Sequence, residues 1–188
     1  LDQSMDFYKN IVGLHEVYRK APDNNLSGPP AAGFLSNGNT HHDVAVVVRA
    51  PAPGLNHLAF ELESEAELLL GYNSATSSGE SFRPHDADIV RSLYHRDPDG
   101  NGVEVYSDST KEWRKLRGDG RIVREAAFPW TPGDPPRFGP ADAKNYHESP
   151  DILWVENAVF HPKKFTHAVI LTHNIESLST YYSYMMGF

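Results

Sequence analysis

With 188 residues, 39% of them hydrophobic, the chain can bury the core of one ordinary domain and part of another. It contains no cysteine, which excludes disulfides, thiolate metal sites and cysteine nucleophiles, so any metal must be held by nitrogen and oxygen. A formal charge of −8 argues against a phosphate-binding surface and so against nucleic acid as a partner, and no apolar run approaches the roughly 20 residues that span a bilayer; a cytoplasmic location is expected.

In residues 2–12 (DQSMDFYKNIV), Met5, Tyr8, Ile11 and Val12 recur at helical spacing, which predicts a short helix capped by Asp2 or Ser4 and ending at Gly13. Residues 14–20 read as a strand, and the glycine- and proline-rich stretch 22–38 as a connection holding a short strand at 33–36. The β-branched run 42–49 (HDVAVVVR) predicts a strand, residues 50–54 a turn, and residues 55–62 (LNHLAFEL) another strand. Ser64 and Glu67 form a capping-box pattern that opens a second helix. Residues 89–95 (IVRSLYH) predict a strand, and Asp97-Pro98-Asp99-Gly100 a turn into a strand at 102–106.

Beyond Ser109 periodicity fades, and seven of the fourteen prolines fall within residues 129–162, the composition of a linker or arm. Residues 166–172 (THAVILT) then predict a strand and 175–186 a helix. At an offset of 174, Phe7/Tyr181, Tyr8/Tyr182, Gly13/Gly187 and Leu14/Phe188 coincide, so the chain closes on what reads as the opening of a second copy. In that copy a strand carrying His167 precedes the helix, whereas the matching strand of the first copy would lie before Leu1.

Strand alternation puts His57 on one face with Leu55, Ala59 and Glu61, opposite the apolar Leu58, Phe60 and Leu62. Glu104 alternates with Val103 and Val105, and an ionised carboxylate on an inner sheet face needs positive compensation. Taken singly, His57 fits a hydrogen-bonded structural histidine and Glu104 a salt bridge or an exposed carboxylate. Together with a further histidine they would make the two-histidine, one-carboxylate face that leaves positions open on Fe(II). In His41-His42-Asp43, adjacent strand histidines would point to opposite faces, so that one of them enters a given cavity. His85 reads as a loop residue, Tyr94 as a strand tyrosine with its hydroxyl at an edge, and His95 as structural.

The stretches MDFYKNIVGL (5–14), HHDVAVVV (41–48), GLNHLAFEL (54–62) and SLYHRDPDGNGVEVY (92–106), with His85 between them, resemble the type I extradiol ring-cleaving dioxygenases, the catechol 2,3-dioxygenase branch of the vicinal oxygen chelate (glyoxalase/bleomycin resistance) superfamily. The resemblance implies an α+β fold of paired βαβββ modules, here read as truncated at both ends. Residues 1–108 would be one such domain lacking its first strand, 109–165 the arm, and 166–188 the first strand and helix of a second domain. It implies Fe(II), with Mn(II) as an alternative ion, and His57 and Glu104 as metal ligands. The third ligand would lie upstream of Leu1, with His167 as a less favoured candidate.

By the same resemblance, the cavity-facing histidine of HHD is the acid–base group, and His42 is chosen because it directly precedes the aspartate. His85 is implied as a substrate hydrogen-bonder and Tyr94 as the tyrosine beside the substrate oxygens. The implied activity is meta cleavage of a catechol by O2 in a homo-oligomer. The alternatives on this scaffold are a metal-dependent glyoxalase-like lyase or isomerase and a non-catalytic binding domain of the bleomycin-resistance kind.

Overall fold

The computed structural model describes residues 1–22, 29–38, 40–48, 53–123, 127–144 and 155–188. The chain divides into two compact units, each drawn from three stretches. Unit 1 is Leu1–Pro53, Lys111–Ala126 and His147–His167; unit 2 is Gly54–Thr110, Ala127–Tyr146 and Ala168–Phe188. Each holds one four-stranded sheet, so the α+β class expected from the sequence is the architecture observed.

In unit 1, α1 (Asp2–Asp6) runs into a π-helical turn at Phe7–Val12 and stops at Gly13, whose φ of 92° is left-handed. No side chain caps its start, in contrast to the predicted role of Asp2 or Ser4. Strands β1 (His15–Lys20), β2 (Ala32–Ser36) and β3 (Val44–Val47) form an antiparallel meander, and after the short helix α3 (Trp113–Arg117) a short β8 (Arg121–Val123) lies parallel to β1 on its outer edge. On one face Met5, Leu14 and Leu35 form the core with Tyr8, Val12, Val44 and Val46. Gly33 leaves the room that the Met5 thioether fills. On the other face the Tyr18 and Phe34 rings stack as a cross-strand pair, 4.2 Å between centroids.

The carbonyls that end a helix have no partners within it. Here two of them find partners later in the chain: the backbone N–H groups of Val159 and Phe160 donate to the Asn10 and Ile11 carbonyls at 3.0 Å each. Val155 donates to Gly13 at 3.2 Å, so this part of the expected linker is a structural cap. The turn predicted at residues 50–54 and the end of the 42–49 run lie partly outside the described residues.

In unit 2 the elements follow as β4 (Leu58–Glu61), α2 (Glu65–Ser77), β5 (Arg83–Asp86), β6 (Val90–Arg96) and β7 (Gly102–Asp108), in the sheet order β4-β7-β6-β5. β4 is parallel to β7, and the other neighbours are antiparallel. Ser64 accepts from the Glu67 amide at 3.3 Å, as the capping pattern predicts. The Asp97 carboxylate accepts from the amides of Asp99 and Asn101, at 3.0 and 2.9 Å, which builds the predicted turn.

Helix α2 packs on β6 and β7 with Leu68 buried, against the face that carries Leu93 and Val103. The same face receives α4 (Ile175–Met186), through Tyr181 stacked on His95 and Tyr182 against Phe60. The apolar Leu93, Val103 and Phe60 thus meet helices, together with His95, whereas Ser92, Tyr94 and Glu104 face the other way.

Two expectations change. His85 lies on β5 and not in a loop; Pro84 argues against a strand by sequence, yet proline is tolerated on an edge strand, which β5 is. Residues 166–172 form no strand, and Val169 and Leu171 are 80% and 90% exposed: alternation alone cannot make a strand without a neighbour to receive its backbone hydrogen bonds. The helix predicted after it, 175–186, forms as expected.

Candidate metal centre in the second unit

The site is set by lateral register. Ala59, Glu104 and Tyr94 are paired across β4, β7 and β6, and Arg83 continues the row on β5. Paired residues on adjacent strands project to one face, and residues two apart on a strand share it. Glu104, Tyr94, Ser92, His85 and Arg83 therefore share the face turned from the helices.

His57 immediately precedes β4 and reaches the same face, its Nε2 lying 2.9 Å from Glu104 Oε2. Gly102 allows this, because a Cβ there would come 3.0 Å from that of His57 and closer still to the Asn56 carbonyl. The Nδ1 side of the ring is oriented by Asn56 Oδ1 at 2.8 Å.

Glu104 is 7% exposed. Burial by itself would raise its carboxyl pKa, but hydrogen bonding from His57, the nearby Ser92 hydroxyl, the charge on His57 and the Tyr94 hydroxyl outweigh it and hold the group down at about 2. The Ser92 hydroxyl, wholly buried, acts as a favourable dipole short of a full hydrogen bond. The Tyr94 ring stands edge-on to His57, 5.5 Å between centroids, and His85 lies 6.1 Å from Tyr94. The Arg83 guanidinium covers the Tyr94 ring at 4.5 Å.

Four of the sequence-predicted residues, His57, Glu104, Tyr94 and His85, thus come together in one unit. Asn56, Ser92, Gly102 and Arg83 were missed, because their parts depend on which strands are neighbours. His41 and His42 lie in unit 1, just ahead of β3, and there the expectation of opposite faces fails. Their Nδ1 atoms are 2.6 Å apart, since strand alternation does not govern residues outside a strand. His42 meets the Phe34 ring at 5.0 Å, and Asp43 accepts from the Asn37 amide at 2.8 Å. His167, also in unit 1, is exposed and hydrogen-bonded to Thr166 at 3.0 Å.

An imidazole nitrogen and a carboxylate oxygen aimed at one another from a sheet, with the far ring nitrogen oriented by an amide, is a donor set that suits a divalent ion such as Fe(II) or Mn(II). Among the described residues no cluster of three His, Asp or Glu side chains forms, so this chain's described residues offer two of the donors such an ion needs. Nor is any helix among them long and apolar enough to cross a membrane.

Several known proteins are similar to this chain. Biphenyl-2,3-diol 1,2-dioxygenase 3 of Rhodococcus globerulus is 34% identical over 113 residues, 55% of each chain. Catechol-2,3-dioxygenase of Bacillus subtilis is 26% identical over 128 residues, 68% of this chain and 45% of that one. The chain spans about half the length of these relatives. A crystal structure of catechol 2,3-dioxygenase superposes on all of this chain and 54% of its own with a TM-score of 0.58 at 16% identity, which is a likeness of fold. The description matching residues 1–105, over half the chain, is that of the glyoxalase/bleomycin resistance protein/dioxygenase superfamily, and the protein belongs to it.

Proposed function

We propose that this protein is an Fe(II)-dependent extradiol dioxygenase that opens a catechol ring beside its two hydroxyls. The observation that carries the reading is the convergence of His57 and Glu104 on the face that also holds Tyr94 and His85. Relatives named as ring-cleaving dioxygenases of catecholic diols support it. Bound Fe(II) would supply a Lewis-acidic centre that brings the diol and O2 together.

The residues do the rest. Glu104, fully ionised at neutral pH, and His57 would hold the ion while leaving it net positive, which favours an ionised diol. Tyr94, whose ring contacts both His57 and the Arg83 guanidinium, has its hydroxyl beside Glu104, from where it would also reach a substrate oxygen. His85 on β5 supplies a second hydrogen-bonding group. For the acid–base role the choice is His42, the histidine of the HHD segment that directly precedes the aspartate, since imidazole suits proton transfer near neutrality.

Anaerobic reconstitution of the full-length protein with Fe(II), followed by catechol and air, is expected to consume O2 and give a yellow ring-opened product. Glu104→Gln and His57→Ala are expected to lose both bound iron and turnover, whereas His42→Phe slows turnover with iron retained. Unchanged turnover in Glu104→Ala would overturn the ligand assignment. A second reading, a metal-free binding module, draws on the direct His57–Glu104 pair, which is self-sufficient without an ion; failure of the wild-type protein to retain iron on gel filtration would favour it.

A further inference from the structure

The row Ala59–Glu104–Tyr94–Arg83 crosses the whole sheet of unit 2 and ends at its edge strand. Arg83 is exposed, yet its guanidinium is not loose: it lies over the Tyr94 ring at 4.5 Å. The same ring stands edge-on to His57, and in the row Tyr94 lies between Arg83 and Glu104, so one aromatic side chain links the guanidinium to the His57–Glu104 pair.

Arg19, Arg91 and Arg137 are each held by carboxylates, whereas among the described residues Arg83 enters no ion pair. A guanidinium stacked on a ring uses its face, and the five N–H donors in its plane remain for a planar, forked acceptor. The chain's formal charge of −8 would repel an anion approaching the site, and a fixed cation at the rim reverses that locally.

We propose that Arg83 is a specificity-determining residue that receives a carboxylate on the substrate ring, so that the preferred diol is an anionic one with its carboxylate on a ring carbon away from the two hydroxyls. This rests on the ring-cleavage reading for the identity of the diol. The geometry of the row supplies the cation that would receive the anion. Arginine suits the task because its fork matches both carboxylate oxygens at once, and its stacking on Tyr94 fixes the fork before the substrate arrives.

The test compares 3,4-dihydroxybenzoate with 4-methylcatechol, which differ in charge at one position, using the Fe(II)-loaded full-length protein and the variants Arg83→Gln and Arg83→Lys. The ratio of kcat/KM for the carboxylate over the methyl compound is expected to fall about ten-fold in Arg83→Gln, with Arg83→Lys between the two. A ratio unaltered in Arg83→Gln overturns the proposal, even if both substrates slow equally, because Arg83 would then act through Tyr94.

Calorimetry with benzoate under argon reads the anion without the diol or O2. Lost benzoate affinity in Arg83→Gln supports the proposal even where no catechol is cleaved, an outcome that would sink the ring-cleavage reading alone. Equal benzoate affinity in the parent and Arg83→Gln overturns the anion role alone.

Discussion

His57 can lie beside Glu104 because Gly102 has no side chain, and this dependence is testable. Gly102→Ala would push the Asn56–His57 backbone off β7. A loss of Fe(II) affinity of about ten- to a hundred-fold is expected, with the far-UV circular dichroism retained, and competitive chelator titration would measure it. Asn56→Ala should fall in the same range through loss of the 2.8 Å contact that orients the ring. At this scale the sequence was informative about chemistry and silent about neighbours. His57, Glu104, Tyr94 and His85 were visible as residue types on strands or near them. Ser92 and Arg83 look like ordinary polar residues until register puts them beside Glu104 and over Tyr94. The HHD histidines were misjudged in orientation because strand logic was extended to residues that precede the strand.

Elements with a local signal were legible and those with a purely tertiary origin were not. The α2 cap and α4 follow from short-range pattern, and Ser64→Ala is expected to cost about 1 kcal/mol in chemical denaturation. β5 and β8 carry no alternation of their own and exist through their neighbours. The docking of α4 makes a prediction about alkaline conditions. Burial, then the charge of Asp97 and the 3.2 Å hydrogen bond to it, push the Tyr182 phenol from 10.0 up to about 12. The folded chain therefore binds this proton more tightly than the unfolded chain. The stabilisation is complete below pH 10 and is lost as pH rises through 12. A melting temperature that declines between these values in the parent, and less steeply in Tyr182→Phe, would bear this out; identical profiles would refute it.

For the molecule as a whole, the proline-rich arm is the part that composition described least well. Asp86, fully buried on the helix side of β5, is held by Arg91 at 3.0 Å and by Arg137 from the arm at 2.5 Å. Arg91 in turn bonds Glu65 and the carbonyls of Asp134 and Pro135, under the Trp130 ring. Proline content announced the irregular backbone, but only the fold could reveal that it closes over a buried ion cluster. Arg137→Met removes one partner of a desolvated carboxylate that keeps the other, so a loss of about 2 kcal/mol in urea denaturation is expected. Arg137→Lys should recover part of it.

The order of synthesis gives this arrangement a kinetic meaning. Asp86 meets Arg137 across 51 positions of sequence, and the carbonyls that end the first helix wait for Val159 and Phe160. Contacts so distant along the chain slow folding and come late. At roughly 5–20 residues per second on the ribosome, β5 with His85 emerges seconds before the arm that pins it. The strand that carries a proposed substrate contact would thus be among the last parts to settle, and a nascent chain stalled short of residue 137 would hold its His57–Glu104 pair on a sheet whose outer edge is still unclamped.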